Sequence, residues 1–252
     1  MMGAIPRPSR ELVLESVSIA VKGYSAALID NLSVSVAPGQ IVTIMGPSGS
    51  GKSTLLSYIA GFVDRHAFVA KGQVMVGEER IDILPAEERH VGILFQDPVL
   101  FPHLTVEGNL LFGFPRRNWR DRHKRRVIVS DVLASAGLAG FEKRDPSTLS
   151  GGQKARVTLL RTLLSQPRAL LLDEPFGKLD VAMREDFRSF VFDHVRERQL
   201  PALLVTHDPA DAEAAGGVVI RLDNAALSSD TARKNAEELL PGAPLGMSHS
   251  QR

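Results

Sequence analysis

The 252-residue sequence has no cysteine, which excludes disulfides and thiolate metal sites and fits a reducing compartment. No apolar run approaches the roughly 20 residues that a membrane-spanning helix requires. Residues 1–10 are too short and too polar for a secretory signal. Neither sign of charge dominates: the formal net charge is +1, so overall charge argues neither for nor against a nucleic-acid partner. No internal repeat is present. Hydrophobic residues make up 44% of the chain, enough for a sizeable core and against wholesale disorder. The length allows one large α/β domain, or a domain with a small inserted subdomain. Membrane contact, if any, is expected through a partner.

Apolar and polar residues alternate over 11–21 (Leu12, Leu14, Val17, Ile19, Val21) and again over 32–36, ahead of a Pro-Gly turn at 38–39. That pattern predicts half-exposed strands in a small antiparallel sheet. Short apolar runs at Ile41–Met45, Val91–Phe95, Ala169–Leu172, Ala202–Val205 and Val218–Leu222 predict strands, several of them buried on both faces as in a parallel sheet. Helices are expected over Thr54–Ala60, after Gly151, and over Asp186–Arg198. Residues 105–143 read as mostly helical and as an inserted subdomain. Beyond Asp223 the sequence turns polar, and its last dozen residues carry no packing signal.

Two short motifs carry most of the chemical information. The first is a phosphate-binding loop, G-x-x-x-x-G-K-S, formed by Gly46, Pro47, Ser48, Gly49, Ser50, Gly51, Lys52 and Ser53. Its glycines let backbone N–H groups turn inward around a polyphosphate, Lys52 adds a positive charge near the outer phosphates, and the Ser53 hydroxyl can ligate Mg2+. Thr54 opens the helix that faces the anion with its N-terminus. The second motif is Leu149-Ser150-Gly151-Gly152-Gln153, at the start of another helix. Leu170 to Glu174 is a hydrophobic strand ending in two acids, at the end of a parallel sheet where α/β proteins bind ligands. Asp173 is expected to hold Mg2+ through water and Glu174 to polarise an attacking water. Adjacent strand residues point to opposite faces, so the two acids can divide these tasks only where the strand gives way to a loop. Gln96 and His207 each end a strand. The first can offer its carbonyl to Mg2+ or water, and the second can hydrogen-bond the γ-phosphate and the attacking water.

The ordered set Tyr24, Gly46–Thr54, Gln96, Leu149–Gln153, Leu170–Glu174, Asp180 and His207 strongly resembles the ATP-binding subunit of ABC transporters over residues 11 to about 223. The resemblance implies an α/β fold: a P-loop NTPase core with an antiparallel β flank and an inserted α-helical subdomain at about 97–160. Residues 224–252 would be a C-terminal tail with no regulatory domain. It implies ATP and Mg2+ as cofactors. Tyr24 would stack on adenine, a contact worth roughly 1–3 kcal/mol by analogy with base stacking. Ser150, Gly151, Gly152 and Gln153 would reach the γ-phosphate held by a second subunit, with Asp180 near the same interface. One phosphate loop and one signature cannot complete a site alone, so a second copy is expected, most simply as a head-to-tail homodimer. Glu174, His207 and Gln96 are the expected catalytic residues, and Ser53, Gln96 and Asp173 the expected metal ligands.

Three departures from the family pattern stand out. Gly177 and Lys178 replace the usual Ser-Ala before Leu179-Asp180. Lys154-Ala155-Arg156 follows the signature in place of a commoner run. The connection from Gly61 to Gly72 is longer than usual. Residues 100–106 (Leu-Phe-Pro-His-Leu-Thr-Val), with Asp82–Pro85 and Gly92–Gln96, look like importer subunits of the thiamine-type and YnjD-like group. The implied partners are a transmembrane permease and a periplasmic or extracellular solute-binding protein, with the chain peripheral on the cytoplasmic face of the inner membrane and no nucleic acid bound. An exporter-like or mechanotransmission ATPase remains the alternative, ahead of a soluble non-transport one. The basic cluster Arg116, Arg117, Arg120, Arg122, Lys124, Arg125 and Arg126 reads as a solvated helix face, or alternatively as a contact for anionic lipid or an acidic loop.

Overall fold

The computed structural model describes residues 10–24, 26–115 and 121–222. Asp223, the expected tail and the first three arginines of the basic cluster (116, 117 and 120) lie outside the described residues.

The alternating segments form an antiparallel sheet from β1 (Leu12–Val21), β2 (Ala27–Val36), β4 (Phe68–Val76) and β5 (Glu79–Arg80), in the order β2-β1-β4-β5. In β1 the buried positions run Leu12, Leu14, then Val17, Ile19, Val21, a skip of one residue in the two-residue period. A bulge accounts for the skip: register shifts between Leu14 and Val17 in the pairing with β2, and Ser16 adopts φ 49°. An extra residue at that point restores the inward face and bends the strand. Gly72 on β4 fits beneath the bulge, where a Cβ would lie 2.6 Å from the Ser16 carbonyl oxygen and 2.7 Å from the Glu15 one. β4 belongs to the long Gly61–Gly72 connection, and its uneven polar pattern hid it from the sequence reading.

The second sheet is parallel throughout, in the order β6-β7-β8-β3-β9: β6 (Val91–Leu94), β7 (Ala169–Asp173), β8 (Ala202–Val205), β3 (Ile41–Met45) and β9 (Val219–Arg221). Its strands are apolar on both faces because each face meets a different partner. Ala169 and Leu171 join Val42, Ile44 and Val205 against the antiparallel sheet and α1 (Lys52–Ala60). Leu170 and Leu172 join Leu204 against α4 (Gly151–Leu164) and α5 (Val181–Glu197).

A third apolar cluster lies among α2 (Val106–Phe112), α3 (Arg122–Ser135) and the other face of α4, through Val106, Leu110, Val129, Leu133, Val157 and Leu160. Helix α4 therefore touches both clusters, with Leu159 and Leu163 on one side and Leu160 and Leu164 on the other. Within 105–143 the described helix is confined to α2 and α3, and 136–143 is turn. Helix α5 starts at Val181, five residues before the expected Asp186, because Asp180 caps it there. Helix α6 (Pro209–Ala215) was not foreseen, although Asp208 before Pro209 is a start signal.

Phe176 is fully buried behind the end of β7, edge-on to Phe187 at 5.9 Å and to Phe192 at 5.7 Å. Phe176→Ala should cost about 3–5 kcal/mol of stability. A urea titration should show the unfolding midpoint falling with the slope unchanged.

Candidate functional site

The phosphate loop connects β3 to α1. Gly49 and Gly51 take φ 77° and 88°, which a side chain would resist, and a Cβ on Gly46 would meet the Leu222 carbonyl oxygen at 2.6 Å. The Lys52 ammonium donates to the Gly46 and Pro47 carbonyls, both at 2.8 Å, and so draws the loop into a ring. Burial pulls the Lys52 pKa below its ordinary value, while the Glu174 and Asp173 carboxylates pull it up.

Every other α-helix described has a side chain accepting from its first turn: Thr105, Asp121, Ser150, Asp180 and Asp208. Helix α1 has none. Its N-cap is Gly51, without a side chain, and its first turn holds no acid. Free N–H donors and the positive end of the helix dipole therefore face a cleft of about 180 Å³ lined by Ser48, Gly49, Gly51, Lys52, Ser53 and Glu174. The Ser50 and Thr54 hydroxyls, next to the lining residues in sequence, are buried without hydrogen-bond partners. Such a cradle suits a polyphosphate.

At the carboxyl end of β7, Asp173 accepts a hydrogen bond from the Ser53 hydroxyl at 3.2 Å. Burial pushes the Asp173 pKa up, and that hydrogen bond works against the rise. Glu174 is the first residue past the strand and adopts the left-handed conformation, φ 46°. A non-glycine residue there stores strain of order 1–3 kcal/mol, held by the Glu174 N–H donating to the Val205 carbonyl at 2.9 Å. The reversal separates the two acids: Asp173 faces Ser53, while Glu174 Oε1 lies 3.1 Å from His207 Nδ1. His207 is 67% exposed, so the imidazole stands at the open side of the cleft. Behind it, buried Asp211 accepts from Thr206 (3.0 Å) and pairs with Arg188 (3.2 Å), and Asp208 pairs with Arg184 at 2.6 Å.

Gln96 lies two residues beyond β6 and is exposed. Its Nε2 is close to Gly177, where a Cβ would come within 3.3 Å. Lys178 pairs with Asp97. The unusual Gly177-Lys178 pair thus ties the segment after Glu174 to the segment after Gln96. That second segment is fixed by two residues the sequence reading missed. Buried Asn109 accepts from the Phe101 N–H (2.8 Å) and donates to the Phe101, Leu104 and Thr105 carbonyls, and Arg161 donates to the Val99 carbonyl at 2.7 Å. An Asn four residues after a Thr cap (Thr105 precedes α2, with Asn109 in its first turn) was the available signal.

One chain gathers the phosphate loop, Asp173, Glu174, His207 and Gln96 at one end of the parallel sheet. It does not bring the signature into the cleft. Ser150 and Gln153 form a reciprocal capping box on α4 (3.0 and 3.3 Å), and a Cβ on Gly152 would meet Met183 Sδ at 3.1 Å. Asp180 accepts from the Met183 N–H at 2.9 Å. Tyr24 is exposed in the turn after β1.

A phosphate loop ahead of an uncapped helix, with an acid pair at the end of β7, one strand removed in the same parallel sheet, defines a P-loop nucleoside triphosphatase. The ABC transporter family model matches residues 29–177. A relative from Escherichia coli (strain K12), the uncharacterized ABC transporter ATP-binding protein YnjD, is 47% identical over 82% of this chain and 94% of its own length. The thiamine import ATP-binding protein ThiQ of Chelativorans sp. (strain BNC1) is 39% identical over 90% of this chain and 89% of its own. The dimeric structure of MJ0796, a bacterial ABC transporter cassette, superimposes with a TM-score of 0.69 at 30% identity, covering 84% of this chain and 94% of that one. The chain belongs to the ABC transporter family, as an ATP-binding subunit and an ATPase.

Lys52→Ala should weaken ATP binding roughly ten- to hundredfold, the loss of a charge-assisted contact worth about 1.5–3 kcal/mol. Titration with a fluorescent ATP analogue reads this directly.

Proposed function

We propose that the chain powers import of a solute through a separate membrane permease, as two copies clamping two ATP molecules head to tail. The observation that carries the dimer is the separation within one chain: the cleft at Lys52 lacks the signature, and the α4 N-terminus at Ser150 lies apart from it. A second copy would supply Ser150, Gly151, Gly152 and Gln153, together with Asp180, to the γ-phosphate, and Tyr24 would stack on the adenine. The single ATPase domain would span 11–223 with its helical insertion at about 97–160. Importer-type names among the relatives support the direction of transport. Exposed Phe62, Phe95, Val99 and Phe112 support a docking surface for a permease helix. A solute-binding protein would deliver the solute, and the chain would sit peripherally on the cytoplasmic face of the inner membrane. No described helix is long and apolar enough to cross it.

Hydrolysis is phosphoryl transfer to water, in which positioning and charge stabilisation dominate. Lys52 and the free donors of α1 offset charge on the β- and γ-phosphates. Glu174, set by its reversed backbone, orients the attacking water and accepts its proton, and His207 holds the γ-phosphate side of the cleft. Ser53, Asp173 and Gln96 fit Mg2+, which keeps few protein ligands and shares phosphate oxygens, and bound there it would neutralise phosphate charge.

Glu174→Gln should retain ATP binding, lose hydrolysis by roughly 10²–10⁴-fold, and elute as a dimer from gel filtration in MgATP. A variant that stays monomeric in saturating MgATP would refute the clamp. Affinity capture of the same variant from detergent-solubilised membranes should recover a multispanning permease. Recovery of soluble or ribosomal partners alone would overturn the transport role.

A further inference from the structure

On the flank formed by β4 and the C-terminal end of α1 lies a cavity of about 550 Å³, apart from the nucleotide cleft. Lys22, Arg65, Lys71, Arg80 and Arg89 line it, against a single carboxylate, Asp82. Asp82 is already committed: it takes Arg80 through Nε (3.0 Å) and Nη2 (2.9 Å) and accepts from the Val74 N–H at 2.8 Å. Arg89 is only 2% exposed, and no carboxylate touches it. Its guanidinium donates instead to four carbonyls, those of Tyr58 (2.7 Å), Ile59 (2.9 Å), Asp82 (2.8 Å) and Leu84 (2.9 Å). Arg89 thus holds the end of α1 and the neighbouring turn, and Arg80 is paired with Asp82, whereas Lys22, Arg65 and Lys71 have no ion pair among the described residues. The charge of Arg65 reaches inward, pulling down the pKa of buried Arg89 alongside the larger effect of burial.

The longer Gly61–Gly72 connection builds this cavity. After the left-handed Gly61 the chain turns through Asp64, whose carboxylate accepts from the His66 N–H at 2.8 Å and whose carbonyl accepts from the Phe68 N–H at 2.9 Å. It then pairs the whole of β4 with β1 as far as Phe68 opposite Val21, and the Lys22 N–H donates to the Ala67 carbonyl at 2.8 Å. That pairing brings Lys22 and Lys71 beside the α1 terminus, and the turn carries Arg65 to the same rim. Uncompensated like charge in a concave site opposes the fold unless an anion joins it, and the low-dielectric wall focuses its field. Val63, Phe68 and Val69 give one side an apolar surface.

We propose that this cavity binds a phosphate ester, with the phosphate among Arg65, Lys71 and Lys22 and the organic part against Phe68 and Val69. The volume falls in the range of small-ligand sites, and guanidinium and ammonium donors match phosphate oxygens. The ester comes either from a free metabolite or from the headgroup of an anionic phospholipid.

The full chain, its nucleotide site filled with a non-hydrolysable ATP analogue and Mg2+, is titrated calorimetrically with inorganic pyrophosphate. In parallel it is floated with vesicles of phosphatidylglycerol and of phosphatidylcholine. Saturable pyrophosphate binding that the double variant Arg65→Ala/Lys71→Ala weakens at least tenfold identifies the site as one for free phosphate esters. Flotation with phosphatidylglycerol alone, lost in the same variant, assigns it to the lipid headgroup. The exposed Lys143→Ala, outside the cavity, is the control for loss of one charge. Basal ATPase activity stays unchanged in all variants. The proposal is overturned by absence of both kinds of binding, by binding that the double variant retains, or by binding that Lys143→Ala weakens equally.

Discussion

The structure depends on one helix end that the chain leaves open. All the other α-helices described satisfy part of their first turn with a side chain, and α1 ends instead at Gly51, with Lys52 folded back on the Gly46 and Pro47 carbonyls. Free N–H groups with a helix dipole behind them are a cost in an empty protein and an advantage when a polyphosphate arrives.

The surrounding fold serves that opening. All five parallel strands direct their carboxyl ends toward the same edge of the sheet as the loop, through parallel pairing of β9 with β3, β3 with β8, β8 with β7 and β7 with β6. The Asp173–Glu174 pair, Gln96 and His207 arrive there from the ends of three strands, β7, β6 and β8. Their separate tasks come from local backbone: a left-handed Glu174 parts two neighbouring carboxylates, and a network of Asp211, Thr206 and Arg188 stands behind His207. The Lys178–Asp97 pair and the Asn109 and Arg161 contacts join the segment after Gln96 to both the β7 end and the helical cluster.

Much of this was legible in the residue order. The parallel strands announced themselves as short apolar runs, since burial on both faces removes alternation, and the phosphate loop is a string of residues whose backbone needs are local. The bulge in β1 was present as a broken period but had no reading until Gly72 was found beneath it. β4 was invisible because its face is only intermittently buried, as in Lys71, Gly72 and Gln73 between Ala70 and Val74. Asn109, Arg161 and Arg89 were invisible for another reason: each bonds backbone carbonyls, those of Arg161 and Arg89 as far as 62 and 31 residues along the chain, and a carbonyl has no residue identity to read.

The sequence by itself determined the family, the phosphate chemistry, the acid pair and the alternation that builds two sheets, because each depends on residue types at short fixed spacing. Tertiary structure alone decided that α1 would be the uncapped helix, that Glu174 would reverse its backbone, and that Ser150 would lie away from Lys52 in one chain. It also decided that five cations would meet one carboxylate beside β4. These outcomes depend on which segments pack together at long range, and on the sum of charge and hydrogen bonding that results.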